Sequence, residues 1–264
     1  MPAKTPLSIK PKFSGVLGPR EAVEAFFRPL NAFLHQLGPL NRPGSNAFCA
    51  DNMLLLSRNM SFLEDERFVA AVQENAADDE DRSIVWRTHV LCWAAGLALS
   101  RPGDFVECGT YRGYSAAVIA RYHAFQDQRE RSFYLYDTFN PAAPDGAGEG
   151  VRLPHHSDDL YDQVTARFSS YPNVRVVRGR IPEVFATACP ERIAFLHVDL
   201  NDAAAEGAAL DALFDRVEPF GAIVFDDYGW TGYRASRDTV RAFMAVRGQS
   251  VVELPTGQGL VIKT

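Results

Sequence analysis

Residues 104–120 constrain the fold of this chain more than any other stretch of its sequence. A short apolar strand, Asp104–Glu107, runs into a turn around Gly109 and then into a helix that carries the apolar run Ala116–Ala120. In doubly wound sheets, a strand, a glycine turn and a helix start together form a cradle of nucleotide size. Gly109 allows a ligand to approach the backbone closely, and the helix start offers N–H groups that have no partner within the helix. The stretch therefore predicts an α/β fold with a ligand site at this turn.

The acid in this turn narrows the class of ligand. Turns that hold a dinucleotide pyrophosphate usually read Gly-x-Gly-x-x-Gly, whereas this chain reads Glu-x-Gly-x-x-x-Gly, with Glu107 at the end of the strand. A carboxylate repels a pyrophosphate but attracts a cationic amino-acid group. S-adenosylmethionine combines an adenosine with such a group, so the pattern favours it as the ligand. A buried acid in an ordinary strand–turn–helix is the alternative that this stretch alone leaves open.

Strands and helices alternate after residue 100. Predicted strands lie at 104–107, 132–136, 174–177, 193–198, 222–225, 250–254 and 260–263, with helices at 112–124, 158–169, 203–216 and 234–246. Repeated βα units predict a parallel sheet covered by helices on both faces. The last two strands are joined by a short Pro/Gly turn and must be antiparallel. We therefore predict a doubly wound, mostly parallel, seven-stranded Rossmann-like sheet of the methyltransferase type, with an antiparallel last strand.

The first hundred residues have a different pattern. Apolar residues recur at helical spacing over 21–37, Ser61 followed by Glu64 resembles the start of a helix, and an apolar helix is expected over 83–99. We predict two parts, an N-terminal arm with a helical extension over residues 1–100 and the methyltransferase domain over residues 101–264.

Polar groups follow each of the first five predicted strands of this sheet, where ligands of doubly wound sheets bind. Asp137, at the second strand end, can accept both ribose hydroxyls, although a turn-forming role is the alternative. The third strand end can hold the adenine. Tyr111 either faces the ligand or covers the helix. The predicted donor-binding residues at these strand ends are Glu107, Gly109, Thr110, Tyr111, Asp137, Thr138, Gly179, Arg180, Ile181 and Asp199.

Three carboxylates are expected to meet at one edge of the pocket. Asp199 follows the fourth strand, and Asp226 and Asp227 follow the fifth. Such a cluster is costly unless a cation neutralises it, and a hard cation with oxygen ligands, Mg²⁺ above all, fits these residue types. In the alternative interpretation, one aspartate contacts the donor and the others cap helices.

Other residues carry weaker signals. His155 and His156 lie in a Pro/Gly-rich loop and either contact the substrate or remain solvated. Trp230 either stacks on the acceptor or packs in the core, and His197, within a strand, is expected in the core.

Composition excludes several classes of protein. A net charge of −6 argues against a protein that coats nucleic acid. Four widely spaced cysteines indicate reduced thiols and a cytoplasmic protein. The first residues do not resemble a signal peptide, and the most apolar stretch, 84–99, is shorter than a bilayer span. We therefore expect no membrane association.

Several of these motifs together resemble the macrocin O-methyltransferase family of class I methyltransferases. The resemblance covers roughly residues 50–264 and is carried by residues 105–113, 136–139 and 224–229, with support from 61–68 and 254–259. It implies S-adenosylmethionine as donor, Mg²⁺, a homo-oligomer, and methylation of a hydroxyl, typically on a deoxysugar of a natural product. It assigns the donor loop to Glu107, Gly109 and Ser115, the ribose to Asp137, and the metal to Asp199, Asp226 and Asp227. Asn201-Asp202 departs from the aromatic-acidic pair of better-known members, which affects the identity of the acceptor.

The predicted mechanism uses Asp199 as both metal ligand and base, with His155 or His156 as the next candidates. Two other functions remain open at this stage. One is a nicotinamide-dependent oxidoreductase, which Glu107 and the antiparallel sheet end disfavour. The other is a catalytically silent protein that binds S-adenosylmethionine.

Overall fold

The computed structural model describes residues 7–12, 20–140 and 157–264. It divides into two compact units, Met1–His89 and Val90–Thr264. The predicted domain boundary between residues 100 and 101 stays a prediction. No helix within the described ranges combines the length and the apolar content needed to cross a membrane.

The first unit contains short helices and one β-hairpin. Its elements are α1 (Arg20–Gln36), β1 (Ala47–Ala50), β2 (Met53–Leu56), α2 (Glu66–Asn75), α3 (Asp79–Ser83) and the start of α4 (Val85–Ala98). The hairpin was not predicted, because its four-residue strands lack alternating polarity. Asp51 and Asn52 form its two-residue turn at φ 50° and 57°, a conformation that these two residue types tolerate better than most.

The predicted helix start at Ser61 is wrong. Ser61–Leu63 form a single 3₁₀ turn, and α2 begins five residues later, at Glu66. Asp65 is its N-cap, with a side chain that accepts hydrogen bonds from the backbone N–H groups of Arg67 and Phe68. Asp is as good a capping residue as Ser, so the Ser-x-x-Glu spacing alone placed the start too early.

The second unit is built on a seven-stranded sheet. Its strands are β3 (Asp104–Cys108), β4 (Phe133–Asp137), β5 (Val174–Arg178), β6 (Ile193–Val198), β7 (Val217–Phe225), β8 (Val252–Glu253) and β9 (Gly259–Ile262). They lie in the order β5-β4-β3-β6-β7-β9-β8. The pairs among β3 to β7 are parallel, and β9 is antiparallel to both β7 and β8. The predicted sheet and its antiparallel end are confirmed.

The helices of this unit are α5 (Tyr114–Tyr122), α6 (Leu160–Arg167), α7 (Ala203–Leu213) and α8 (Arg234–Val246). Every residue of the central strand β6 is buried, as expected for a strand covered on both faces. Phe105 packs against Phe125, Phe133 and Phe195, with ring centroids 5.2 to 5.7 Å apart. This aromatic cluster packs the first halves of the inner strands β3, β4 and β6 together.

The strand order reverses between β3 and β6. From β3 the chain proceeds outwards to β4 and β5, and then crosses back to β6 on the other side of β3. Loops leaving the two central strands therefore diverge and open a crevice at their carboxyl ends, where ligands of such sheets bind. Glu107 and Asp199 lie at this point.

Candidate functional site

The turn after β3 packs against the end of β6. Gly109 has φ 91°, and a Cβ placed on it would overlap the carbonyl oxygen of Asp199. The Asp199 N–H in turn donates to the Cys108 carbonyl at 2.8 Å. We predicted that Gly109 is glycine so that a ligand can approach, but the close neighbour in the structure is the backbone of Asp199, directly after β6. The glycine is thus required by the fold of the site itself, and its place in the donor loop stays a prediction.

Asp137 links the loops that follow β3 and β4. Its Oδ2 accepts the backbone N–H of Tyr111 and its Oδ1 accepts that of Phe139, both at 2.7 Å. Its own carbonyl accepts the N–H of Gly179 at 2.9 Å. Each carboxylate oxygen can accept a further hydrogen bond, so this half-buried side chain is anchored and can still bind hydroxyl groups. The structure thereby brings together three of the predicted donor-binding positions.

Glu107 lies in a buried charged row. Its Oε1 is 3.0 Å from Nδ1 of His197, and Nε2 of His197 is 3.6 Å from Oδ1 of Asp226. Glu107 and His197 are each 1 % exposed and Asp226 is 6 % exposed. His197 was expected in the core, and it is buried there, but its two carboxylate partners were not predicted. A histidine within a fully apolar strand is the signal that could have revealed them, because a buried polar ring requires partners.

These carboxylates control the protonation of His197. Burial alone would lower the pKa of His197, but Asp226 and Glu107 outweigh it and raise the pKa to about 10. Burial raises the pKa of Glu107, and the neighbouring His197 opposes that rise. The two acids thus favour the protonated, cationic form of the His197 ring.

One oxygen of Glu107, the buried Oε2, is left without a hydrogen-bond donor among the described residues. A buried carboxylate oxygen is costly without a donor, and the ammonium group of an amino-acid ligand would supply one. Together with Asp137, this oxygen fits the chemistry of S-adenosylmethionine.

Gln258 and Thr256 extend the row beyond Asp226. Gln258 Nε2 donates to Asp226 Oδ1 at 2.9 Å, and Thr256 Oγ1 donates to Gln258 Oε1 at 3.0 Å. Sequence reasoning placed both residues only in a turn. The available signal was Gln258 between two glycines, with Thr256 two residues before it and an apolar strand after it, but the turn residues themselves explained the pattern.

The three predicted metal ligands differ in their surroundings. Asp226 is directed at His197 and Gln258, Asp199 Oδ1 accepts from Asn201 Nδ2 at 3.3 Å, and Asp227 is half-buried. Within residues 7–12, 20–140 and 157–264, no group of three or more His, Cys, Asp or Glu side chains is arranged to hold a metal. Mg²⁺ often binds only one or two carboxylates together with water and substrate oxygens, so the residue types still fit it. The metal site stays a prediction.

Glu206 adds a fourth acid that sequence reasoning did not select. It lies on α7 and is 5 % exposed. Burial, and then the charge of Asp227, raise its pKa to about 8, while a hydrogen bond with Ser236 opposes the rise. Negative charge near Asp227 is thus high enough to affect the protonation of its neighbours.

The remaining predicted residues are less informative. Thr110 and Ile181 are buried, Tyr111, Ser115 and Thr138 are half-buried, and Arg180 is exposed. His155 and His156 lie outside the described residues.

Comparison with known proteins places this site in a family. Residues 94–251, well over half of the chain, match the family described as Macrocin-O-methyltransferase (TylF). One relative is the 8-demethyl-8-(2,3-dimethoxy-alpha-L-rhamnosyl)-tetracenomycin-C 4′-O-methyltransferase of Streptomyces olivaceus. The chain is 28 % identical to it over 171 residues, which cover 60 % of this chain and 64 % of that protein. It is 28 % identical over 153 residues to mycinamicin III 3″-O-methyltransferase of Micromonospora griseorubida, covering 52 % and 59 %. The chain thus spans less than two thirds of either relative's length.

A solved structure confirms the fold. The O-methyltransferase NovP superposes with a TM-score of 0.57 at 22 % identity, over 68 % of this chain and 80 % of that one. The fold is therefore the Rossmann-like methyltransferase fold that the strand pattern predicted. The family match covers β3 to β7 and the crevice at their carboxyl ends, and on that ground the chain belongs to the macrocin O-methyltransferase family.

Proposed function

We propose that the protein is an S-adenosylmethionine-dependent O-methyltransferase that methylates a hydroxyl of a sugar or another natural-product acceptor. The observation that carries this proposal is the buried Oε2 of Glu107, which has no partner within the described residues and lies at the strand order reversal. Family membership supports it. The relative from Streptomyces olivaceus is by its name an O-methyltransferase of a rhamnosyl-bearing compound, which supports a sugar acceptor.

On the donor side, each proposed contact has a distinct role. Glu107 accepts the ammonium group of the methionine moiety, and Asp137 accepts the ribose hydroxyls while the backbone holds it in place. The loop residues Thr110, Tyr111 and Thr138, and Ser115 at the start of α5, complete the proposed donor site. Gly179, Arg180 and Ile181 border the adenine. Two carboxylates of fixed position thus orient both polar ends of the donor.

On the acceptor side, we propose that Asp199 takes the proton of the hydroxyl that is methylated. The oxygen then attacks the methyl carbon as its bond to the sulfonium sulfur breaks, and neutral S-adenosylhomocysteine leaves. Such a transfer depends on positioning more than on covalent help from the protein. His155 and His156 remain the next candidates for the base.

We also propose Mg²⁺ at Asp199, Asp226 and Asp227. When bound, it would lower the pKa of the acceptor hydroxyl and orient a neighbouring oxygen. A homo-oligomer and a cytoplasmic location complete the proposal, the latter supported by four free cysteines. The net charge of −6 supports a small-molecule partner over nucleic acid.

Calorimetric titration of S-adenosylhomocysteine in EDTA, and then with Mg²⁺, tests this function. We expect binding in both buffers and a change in the signal with Mg²⁺. Glu107→Gln should weaken binding roughly 10- to 100-fold, the usual worth of a hydrogen bond to a charged group. Asp104→Asn is a matched control, because Asp104 lies at the opposite end of β3, where it accepts the N–H of Ser132. It should bind within about twofold of wild type.

If S-adenosylhomocysteine binds neither in EDTA nor with Mg²⁺, the proposed donor site is refuted. Binding without turnover on any glycosylated acceptor, with methyl-labelled donor, would instead favour the silent binding protein.

A further inference from the structure

Four neighbouring strands each contribute one buried polar side chain to a single row. Glu107 comes from β3, His197 from β6, Asp226 directly follows β7, and Gln258 directly precedes β9. Their exposed fractions are 1, 1, 6 and 0 %. The proposed reaction uses the first and third of these residues, but it gives no role to Gln258 or to the β8–β9 turn that carries it. The family match ends at residue 251, ahead of this turn.

The orientation of the Gln258 amide follows from its neighbours. An ionised carboxylate can only accept hydrogen bonds, so the amide NH₂ must face Asp226 and the amide oxygen must face Thr256. The Thr256 hydroxyl donates to that oxygen at 3.0 Å. Asp226 Oδ1 then lies between Gln258 Nε2 at 2.9 Å and His197 Nε2 at 3.6 Å. The hydrogen bond from Gln258 and the ion-pair contact with His197, which is too long for a hydrogen bond, therefore restrain the rotation of this carboxylate from two sides.

The turn itself is docked on the segment that carries Asp226 and Asp227. Gly229 N–H donates to the Gly257 carbonyl at 2.7 Å, and Leu254 N–H donates to the Gln258 carbonyl at 2.8 Å. A Cβ on Gly257, which has φ 85°, would overlap the indole of Trp230. The position of Gln258 is therefore set by backbone contacts on both sides of the turn.

We propose that Gln258, held by Thr256, is a positioning residue that fixes the Asp226 carboxylate for the acceptor side of the site. Asp226 follows β7 and Asp199 follows the neighbouring strand β6, so the rotation of Asp226 determines how the two carboxylates face the acceptor. The role is distinct from donor binding, because Glu107 and Asp137 are held by other groups. This inference rests on the proposed function for its catalytic consequence, although the hold on Asp226 is a property of the free protein.

The first test is made on the free protein by NMR. Protein labelled with ¹⁵N-histidine should show ring N–H signals of His197, identified by their loss in His197→Gln. Gln258→Met keeps the side-chain volume but removes the amide. It should shift or broaden the Nε2–H signal that faces Asp226, while the Nδ1–H signal that faces Glu107 stays in place. Gln249→Met is the matched control, since among the described residues its side-chain amide hydrogen-bonds Arg247 and Thr264.

The second test is kinetic. Gln258→Met should lower kcat for methyl transfer roughly tenfold, in line with the loss of a hydrogen bond to a charged group, and leave the KM for the donor within about twofold. A cooperative thermal unfolding transition should confirm that Gln258→Met is folded.

The outcomes separate the two proposals. Unchanged His197 signals in Gln258→Met, or altered signals with an unchanged kcat, would overturn the positioning role. If Gln258→Met instead changes the donor KM, kcat and thermal stability together, Gln258 has only a structural role, and the positioning role is also overturned. If wild-type protein fails to bind S-adenosylhomocysteine, the proposed function fails, and the NMR result alone decides whether Gln258 fixes Asp226.

Discussion

Asp137 and Asp226 lie at the carboxyl ends of two strands of one sheet, but they are held in different ways. Asp137 accepts two backbone N–H groups, from the loops after β3 and β4. Asp226 is held by the side chains of His197 and Gln258. Backbone donors are present whatever the side chains are, whereas side-chain donors depend on the identity of two residues. The donor side of the site should therefore tolerate sequence change around its acid better than the acceptor side does.

Removing His197 is expected to have the largest effect on how Asp226 is held. His197→Leu leaves Glu107 and Asp226 buried without the cation between them, and removing one member of a buried ion pair costs about 3–5 kcal/mol. We expect the free energy of unfolding at pH 7, measured with urea, to fall by about that amount. His197→Leu combined with Asp226→Asn should recover part of the loss, because it removes one of the uncompensated charges. A double variant no more stable than His197→Leu would show that packing, and not charge, dominates.

The pH dependence of this effect has a definite sign. The pKa of His197 is raised in the folded state from its ordinary value of 6.5 to about 10. A group with a raised pKa stabilises the fold fully below its unfolded pKa, and this contribution is lost as the pH rises through the folded pKa. The difference between wild type and His197→Leu should therefore narrow between pH 7 and pH 10, by up to about 1.4 kcal/mol per pH unit. A difference that widens over this range would contradict an imidazolium at this position.

The two acids also differ in how far the sequence could predict them. Asp137 follows a strand with a clear boundary, and its role can be proposed from that position alone. Asp226 was equally visible in the sequence, but its partners come from β6 and from the turn before β9. Which strands are neighbours in a sheet depends on long-range pairing, so nothing in the local sequence around Gln258, 32 residues away, indicated its contact with Asp226. The fold could be predicted because each βα unit carries its own pattern, whereas the side-chain contacts of the site depend on strand order.

The same reasoning applies to elements outside the site. The β1–β2 hairpin was missed because four-residue strands give little periodicity, although its Asp51-Asn52 turn is interpretable afterwards. Gly109 was selected as a place where a ligand can approach, which stays a prediction, and the structure shows the Asp199 backbone next to it. A sequence shows that a glycine is needed more readily than it shows which atoms come close to it.

Asp137→Asn tests the acid that is held by backbone groups, and its expected effect is smaller. The amide retains one acceptor, but its NH₂ group must face the other backbone N–H, which leaves a donor unsatisfied at a cost of about 1–3 kcal/mol. Affinity for S-adenosylhomocysteine, measured by calorimetry in EDTA, should fall roughly tenfold if Asp137 accepts the ribose hydroxyls. Asp104→Asn again serves as the control. Full affinity in Asp137→Asn would remove the ribose role and leave Asp137 as a brace between two loops.

Thr256→Val is expected to have the smallest effect, and it tests whether the hold on Asp226 weakens with distance along the row. The substitution keeps the shape of the side chain but removes the hydroxyl that donates to Gln258 Oε1, so the free energy of unfolding should fall by about 0.5–1.5 kcal/mol. Gln258 still faces Asp226 in this variant, and kcat should fall only about two- to threefold, compared with roughly tenfold for Gln258→Met. Equal effects of the two substitutions would mean that Gln258 cannot hold Asp226 without Thr256. A larger effect of Thr256→Val would place Thr256 in direct contact with the acceptor, because an indirect hold cannot exceed the contact through which it acts.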